Sequence, residues 1–168
     1  MQSAEGAGDD TARVLDSLRR IVRALRTTAH MVERDLGISG AQLFVLSELA
    51  AEPGISLRRL SERTLTDPSS VSVVVARLVR RGLIARRRDR ADGRRSALSL
   101  TERGRALLRR APEPVQARLV RAVRTLPPAR RRRLKDDLTE VVRKVGAAGG
   151  TPPLFFDEKR SRRRVRGA

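Results

Sequence analysis

The side chains with chemistry to offer are mostly arginines. Lys and Arg together number 38 against 19 Asp and Glu, a formal charge of +19. They gather at Arg58-Arg59, at Arg77, through Arg86-Arg87-Arg88-Asp89-Arg90-Ala91-Asp92-Gly93-Arg94-Arg95, and in the last run, Lys159 to Arg166. A guanidinium presents a planar fork of donors that matches phosphate. Such a charge balance favours polyanions, either nucleic acid or an anionic membrane surface. Covalent chemistry is poorly served. There is no cysteine, and His30 is the one histidine. No Cys–His pair, no Ser–His–acid arrangement around that histidine, no phosphate-cradling glycine loop and no metal-ligand cluster can be assembled. Disulfides and thiol-based sensing are excluded, and a zinc site wants several His or Cys ligands. Asp136-Asp137 stand on an arginine-rich helix and read as ion pairs. Neither an enzyme nor a cofactor is expected.

The elements that must position these arginines run from Ser56 to Thr101. Ser56 is a suitable N-cap for Leu57 to Thr64, with Leu57 and Leu60 on one face and Arg58, Arg59, Glu62 and Arg63 on the others. Leu65-Thr66 is a tight connection. Asp67-Pro68 opens a second helix, Asp as N-cap and Pro where a missing N–H costs nothing. Val71, Val74, Val75 and Leu78 recur at helical spacing. Gly82 follows Arg80-Arg81 as a left-handed C-cap with cations in the last turn. Leu83-Ile84-Ala85 and Ala97-Leu98-Ser99-Leu100 are then strand-like, with the turn dipeptide Asp92-Gly93 between them. Helix, turn, helix and a hairpin with a cationic tip make a winged helix-turn-helix. Its second helix would enter the major groove of double-stranded DNA.

Each candidate has a plain alternative. Ser69, Ser70, Ser72 and Val73 lie early and outward on the second helix. Their hydroxyls can bond base edges or phosphates and the valine methyls can meet a thymine methyl; otherwise they are a cap and a solvated turn. Arg77 meets phosphate or is a solvated charge. Arg94, at the hairpin tip, fits the narrow, electronegative minor groove of A·T-rich DNA. Asp92 would hold it in a bidentate pair; the alternative is a surface ion pair worth under about 1 kcal/mol. Arg86, Arg87, Arg88, Arg90 and Arg95, with Arg58 and Arg59, add phosphate attraction without sequence information.

From about Gly40 to Gly104 the chain resembles the MarR family of bacterial transcription regulators. Asp92-x-Arg94, then Leu100-Thr101 and Gly104, stand at the spacing of that family's wing signature. Leu78-x-x-x-Gly82-Leu83-Ile84 matches the end of its recognition helix, and Arg77 stands where the family usually has a basic residue. Many relatives carry a larger polar side chain where Val73 stands. By register, the resemblance implies DNA contact from Ser70, Ser72, Val73 and Arg94. It also implies that the outer helices interlace into a homodimer, with two readers facing successive major grooves about 34 Å apart. The target would be a pseudo-palindromic operator near the protein's own gene, and the most natural role repression. Effectors of relatives bind between the outer helices and the reader, where His30 and Phe44 could line a pocket; a lone histidine is more often a packed or surface residue. Arginines there would suit a small anionic aromatic or phenolic effector. The rival readings are an intrachain bundle of the outer helices and a nonspecific architectural DNA or RNA binder.

Along the chain, residues 1–10 are small and polar and are expected to be disordered. Asp10 can cap a helix from Thr11 to about Asp35, with Val14, Leu15, Leu18, Ile21, Val22, Leu25, Ala29, Val32 and Leu36 as its stripe. Ser39 and Gln42 form a capping box for a helix from Gly40 to about Ala51, with Leu43, Phe44, Leu46 and Leu49 inward. Pro53-Gly54 stops it, and Ile55 is placed to bridge to the wing. Thr101 caps a helix that buries Leu107, Leu108, Ala111, Val115, Leu119 and Val123, with a kink expected between Arg109 and Pro114 because Pro112 and Pro114 interrupt it. After Leu126-Pro127-Pro128, a last helix runs to about Val145 through Leu134, Leu138, Val141 and Val142.

The expected fold is mainly α with a small β-wing. A MarR-like domain spans 11–146, with the reader at about 40–101 and dimerisation helices at 11–36 and 102–146. The tail 147–168 is basic at its end, and its Leu154-Phe155-Phe156 would dock on the dimer. No run is apolar enough to span a bilayer. The N-terminus lacks a basic-then-apolar signal pattern, so a cytoplasmic, nucleoid-associated protein is expected.

Overall fold

A computed structural model describes residues 3–88 and 96–147, together with Gly149. Among them are seven helices: α1 (Ser3–Leu36), α2 (Gly40–Ala51), α3 (Leu57–Thr64), α4 (Pro68–Arg80), α5 (Glu102–Arg109), α6 (Val115–Thr125) and α7 (Pro128–Lys144). Strands β1 (Ile84–Arg88) and β2 (Ser96–Leu100) pair antiparallel, from Ile84 opposite Leu100 to Arg88 opposite Ser96. This is the mainly helical winged helix-turn-helix that the sequence predicts.

The local signals act as read. Ser39 accepts from the Gln42 backbone N–H while Gln42 Oε1 accepts from the Ser39 N–H, a closed capping box. Ser56, Asp67 and Thr101 cap α3, α4 and α5 through their side chains. Ile55 bridges to Leu98, whose backbone N–H donates to the Ile55 carbonyl at 2.9 Å. The turn between α3 and α4 has a cost: Leu65 adopts a left-handed φ of 53°, a region that disfavours residues with a Cβ by about 1–2 kcal/mol.

One apolar core, made by α2, α3, α4 and the sheet, holds the reader together. Phe44, Leu46, Leu49, Leu60, Val71, Leu78, Leu83 and Leu98 are sealed in it, with Val32 and Ile38 closing it from the end of α1. Helix α2 is the hub. Besides the predicted inner face it buries Gly40, Ala41, Gln42 and Val45, because it is packed on several sides rather than one.

The wing closes against the start of α5 through a small backbone knot. The Thr101 hydroxyl donates to the Gly82 carbonyl at 2.7 Å and accepts from the Gly104 N–H at 3.0 Å. The Thr101 N–H donates to the Leu83 carbonyl at 3.1 Å. A Cβ on Gly104 would stand 2.2 Å from that same carbonyl oxygen, so only glycine lets α5 approach this closely.

Four expectations change. The first helix begins at Ser3, not Thr11: Ala4 and Ala7 favour helix, and the two glycines beside them, Gly6 and Gly8, do not outweigh continuation of an already nucleated helix. The kink at Arg109–Pro114 is a full break into α5 and α6, because two prolines within three residues remove two helical donors. The strands reach Arg88 and start at Ser96, so Arg86 and Arg87 belong to β1 rather than to the hairpin tip. Arg63, read as outward, is half-buried between α2 and α3. The tip residues Arg90, Asp92, Arg94 and Arg95 lie outside the described residues, as do Leu154 to Phe156 and the basic C-terminal run.

Candidate nucleic-acid interface

Helix α4 is fixed by its inner face. Val71, Val74, Val75 and Leu78 are buried in the reader core. Directly opposite them, at spacings of four, three and four, stand Ser69, Val73, Ala76 and Arg80, all exposed. Ser70, Ser72 and Arg77 lie on the flanks, half-buried. Ala76 and Arg80 were not singled out from sequence, although the period that marks the buried stripe also marks its opposite.

The start of α4 is organised by Asp67. Its Oδ1 accepts the Ser69 hydroxyl, and the Ser70 backbone N–H at 2.9 Å. The Ser69 hydroxyl first, then the Ser70 side chain and backbone, pull the Asp67 carboxyl from its ordinary 3.8 to about 2. Thus Ser69, expected as a DNA contact, is also part of the cap.

The helix is set against its neighbours by arginines. Arg63 binds Glu48 Oε2 at 2.7 Å and Glu52 Oε2 at 2.8 Å, tying α3 to the end of α2. Arg59 reaches Glu52 at 3.2 Å, and this bond is the main reason the Glu52 carboxyl is held below its usual range. Arg59 is therefore committed to the scaffold. Arg58 is different: it is exposed and pairs with Glu62 of its own helix, at 3.3 Å. Arg81, just past α4, donates through Nη1 to the Gly37 carbonyl at 2.6 Å and so joins the reader to the end of α1.

Arg86 and Arg87 project exposed from β1, which follows α4 directly through Gly82. Exposed α4 side chains and exposed β1 arginines are thus carried on consecutive, mutually packed elements. Such a surface can lay one helix in a groove while cations meet the flanking phosphates.

The two residues proposed to line an effector pocket part company. Phe44 is 2% exposed, a core residue. His30 is exposed, in an open groove of about 510 Å³ along α1 with Leu15, Leu18, Arg19, Val22, Arg23, Arg26 and Thr27. Phe44 is not part of that groove's lining. Among the described residues no group of His, Asp or Glu could hold a metal ion, and no helix is long and apolar enough to cross a membrane.

Known proteins share both sequence and architecture with this chain. A profile of the MarR family matches residues 36–95. The HTH-type transcriptional repressor Rv2887 of Mycobacterium tuberculosis is 30% identical over 118 residues, which make up 70% of this chain and 85% of that protein. The HTH-type transcriptional repressor MdtR of Bacillus subtilis is 38% identical over 68 residues, 40% of this chain and 44% of MdtR. The crystal structure of YusO from Bacillus subtilis aligns with a TM-score of 0.51 at 25% identity, covering 88% of this chain and 100% of YusO. With most of a named repressor aligned and the reader's capped helices and wing in their places, the chain belongs to the MarR family: it is a transcriptional regulator with a DNA-binding fold, not an enzyme.

Proposed function

We propose that this protein is a homodimeric repressor that binds a pseudo-palindromic operator, with α4 in the major groove and the wing in the adjacent minor groove. The observation that carries the reading is the outward stripe of α4, exposed beside the arginines of β1 while the opposite face of the same helix is sealed into the core. Ser72, Val73 and Arg77, with Ser69 through its remaining lone pairs, would face the groove. Arg58, Arg86 and Arg95 would neutralise phosphates, and Arg94, oriented by Asp92, would enter the minor groove.

Dimerisation is supported by apolar surface that the single chain leaves uncovered. Val14, Leu15, Ile21 and Val22 on α1, and Leu134, Leu138, Val141 and Val142 on α7, are all exposed. Two-fold pairing through these helices would present two readers to successive grooves. The groove beside His30, with Arg19, Arg23 and Arg26 around an apolar floor, is the place we propose for a small anionic or phenolic effector. Such a ligand relieves repression only by binding one arrangement of the readers better than the other. We place the protein in the cytoplasm with the DNA it reads.

The test is fluorescence anisotropy at about 0.15 M salt with a duplex selected from a random pool and a scrambled duplex of the same composition. The repressor reading expects a preference of roughly 10³-fold or more for the selected duplex, with clear loss for Arg94→Ala. Equal binding to both, with steep salt dependence, would instead mean a nonspecific architectural protein; the charge of +19 is what favours that second reading.

A further inference from the structure

The outward stripe of α4 is unusual in what it offers a base pair. Ser69 has one hydroxyl proton, and it is donated to Asp67 Oδ1. The stripe therefore starts with a group that can accept but not donate. Ser70 is half-buried and turned toward the same carboxylate. The next two positions are Val73, 48% exposed, and Ala76, also exposed. Over two turns, the surface most directly opposed to the core presents only methyl groups, until Arg80 at the far end.

In the major groove, guanine, adenine and cytosine offer hydrogen-bonding edges, whereas thymine alone adds a C5-methyl group. A valine pressed on the polar edge of another base would desolvate it without replacing its hydrogen bonds. Against a thymine methyl it buries apolar surface on both sides.

We infer that this reader identifies its operator chiefly through thymine methyl groups packed on Val73 and Ala76, with Arg80, Arg77 and the wing supplying phosphate and minor-groove contacts. The inference rests on the proposed placement of α4 in the major groove and specifies what that helix reads there.

Replacing thymine by deoxyuridine removes the C5-methyl and nothing else from the major-groove edge. The experiment compares the selected duplex, the same duplex with uracil in one half-site core, the same duplex with uracil only in the flanks, and the scrambled duplex. Each is titrated with wild-type protein and with Val73→Ala, whose exposed position leaves the fold intact; a melting curve checks this. Wild type should lose about ten-fold on the core-uracil duplex, for roughly two methyl contacts, and nothing on the flank-uracil duplex. Val73→Ala should bind the thymine duplex more weakly, by a comparable factor, and distinguish thymine from uracil by no more than about three-fold.

Equal wild-type binding to thymine and core-uracil duplexes, with the preference over the scrambled duplex intact, would overturn the inference and leave the repressor reading standing. Undiminished thymine discrimination by Val73→Ala would overturn the assignment of the contact to Val73. If no duplex is preferred over the scrambled one, the operator reading itself fails, and the inference with it.

Discussion

Leu46 and Leu138 are the same residue type, each with apolar neighbours one turn away on its own helix, yet their surroundings are opposite. Leu46 on α2 is fully buried, whereas Leu138 on α7 is 42% exposed. The contrast extends to whole regions. Between Ile38 and Leu100 the reader closes its apolar faces on one another. In α1 from Val14 to Val22, and throughout α7, apolar residues recur at helical spacing but stay largely uncovered; α7 buries no residue at all. An apolar period shows that a face is meant to be covered. It does not show whether the same chain or another one covers it.

The largest effect should come from emptying the complete region. Leu46→Ala should lower unfolding stability by about 2–5 kcal/mol, independently of protein concentration. Leu138→Ala should alter stability only through assembly, so its cost should grow as the protein is concentrated and vanish in dilute solution. Chemical denaturation of both variants at two protein concentrations checks the pair, and equal, concentration-independent losses would erase the distinction.

Next is the joint where the reader meets the outer helices. Gly104→Ala places a methyl group against the Leu83 carbonyl, a rigid backbone atom. Overpacking of this kind costs about 1–3 kcal/mol, and the displaced wing should weaken DNA binding as well. Thermal unfolding and anisotropy on the same variant would show both losses.

A smaller effect belongs to the α4 cap. Asp67→Ala should lower the unfolding temperature near neutral pH, by less than Gly104→Ala does. The sign of its pH dependence follows from the lowered carboxyl. With a folded pKa of about 2 against an ordinary 3.8, the stabilisation is complete above about pH 4 and is lost as the pH falls toward 2. Wild type should therefore lose stability relative to Asp67→Ala across that acid window, and parallel curves would show that the cap is not charge-dependent.

Local chemistry was legible in the sequence wherever a short motif closes on itself. Ser39 with Gln42, Ser56, Asp67-Pro68, Thr101 and the Ile55 bridge need only a few neighbouring atoms, and each is formed. What escaped depends on distant partners. Phe44 was read both as part of the inner face of α2 and as a pocket-lining residue, and the packing of α2 on several sides decides for the core. Arg63 looked like any outward arginine until α2 brought Glu48 and Glu52 to it. Ser69 carries both a cap role and an outward position, and sequence alone cannot say which the hydroxyl proton serves. Pro112 and Pro114 announced an interruption, read as a kink; it is a full break, and α6 beyond it packs against α1 and α2.

A second copy of the chain is proposed to complete the uncovered stripes of α1 and α7. Sedimentation velocity of wild type and of Leu138→Glu/Val141→Glu tests it most directly, with near-neutral circular dichroism to confirm that the reader stays folded. Wild type should sediment at twice the chain mass of 18.7 kDa, and the double variant at the mass of one chain with its helical signal largely kept and its operator affinity sharply reduced. A monomeric wild type at micromolar concentration, or a double variant that still forms the same dimer, would contradict the account.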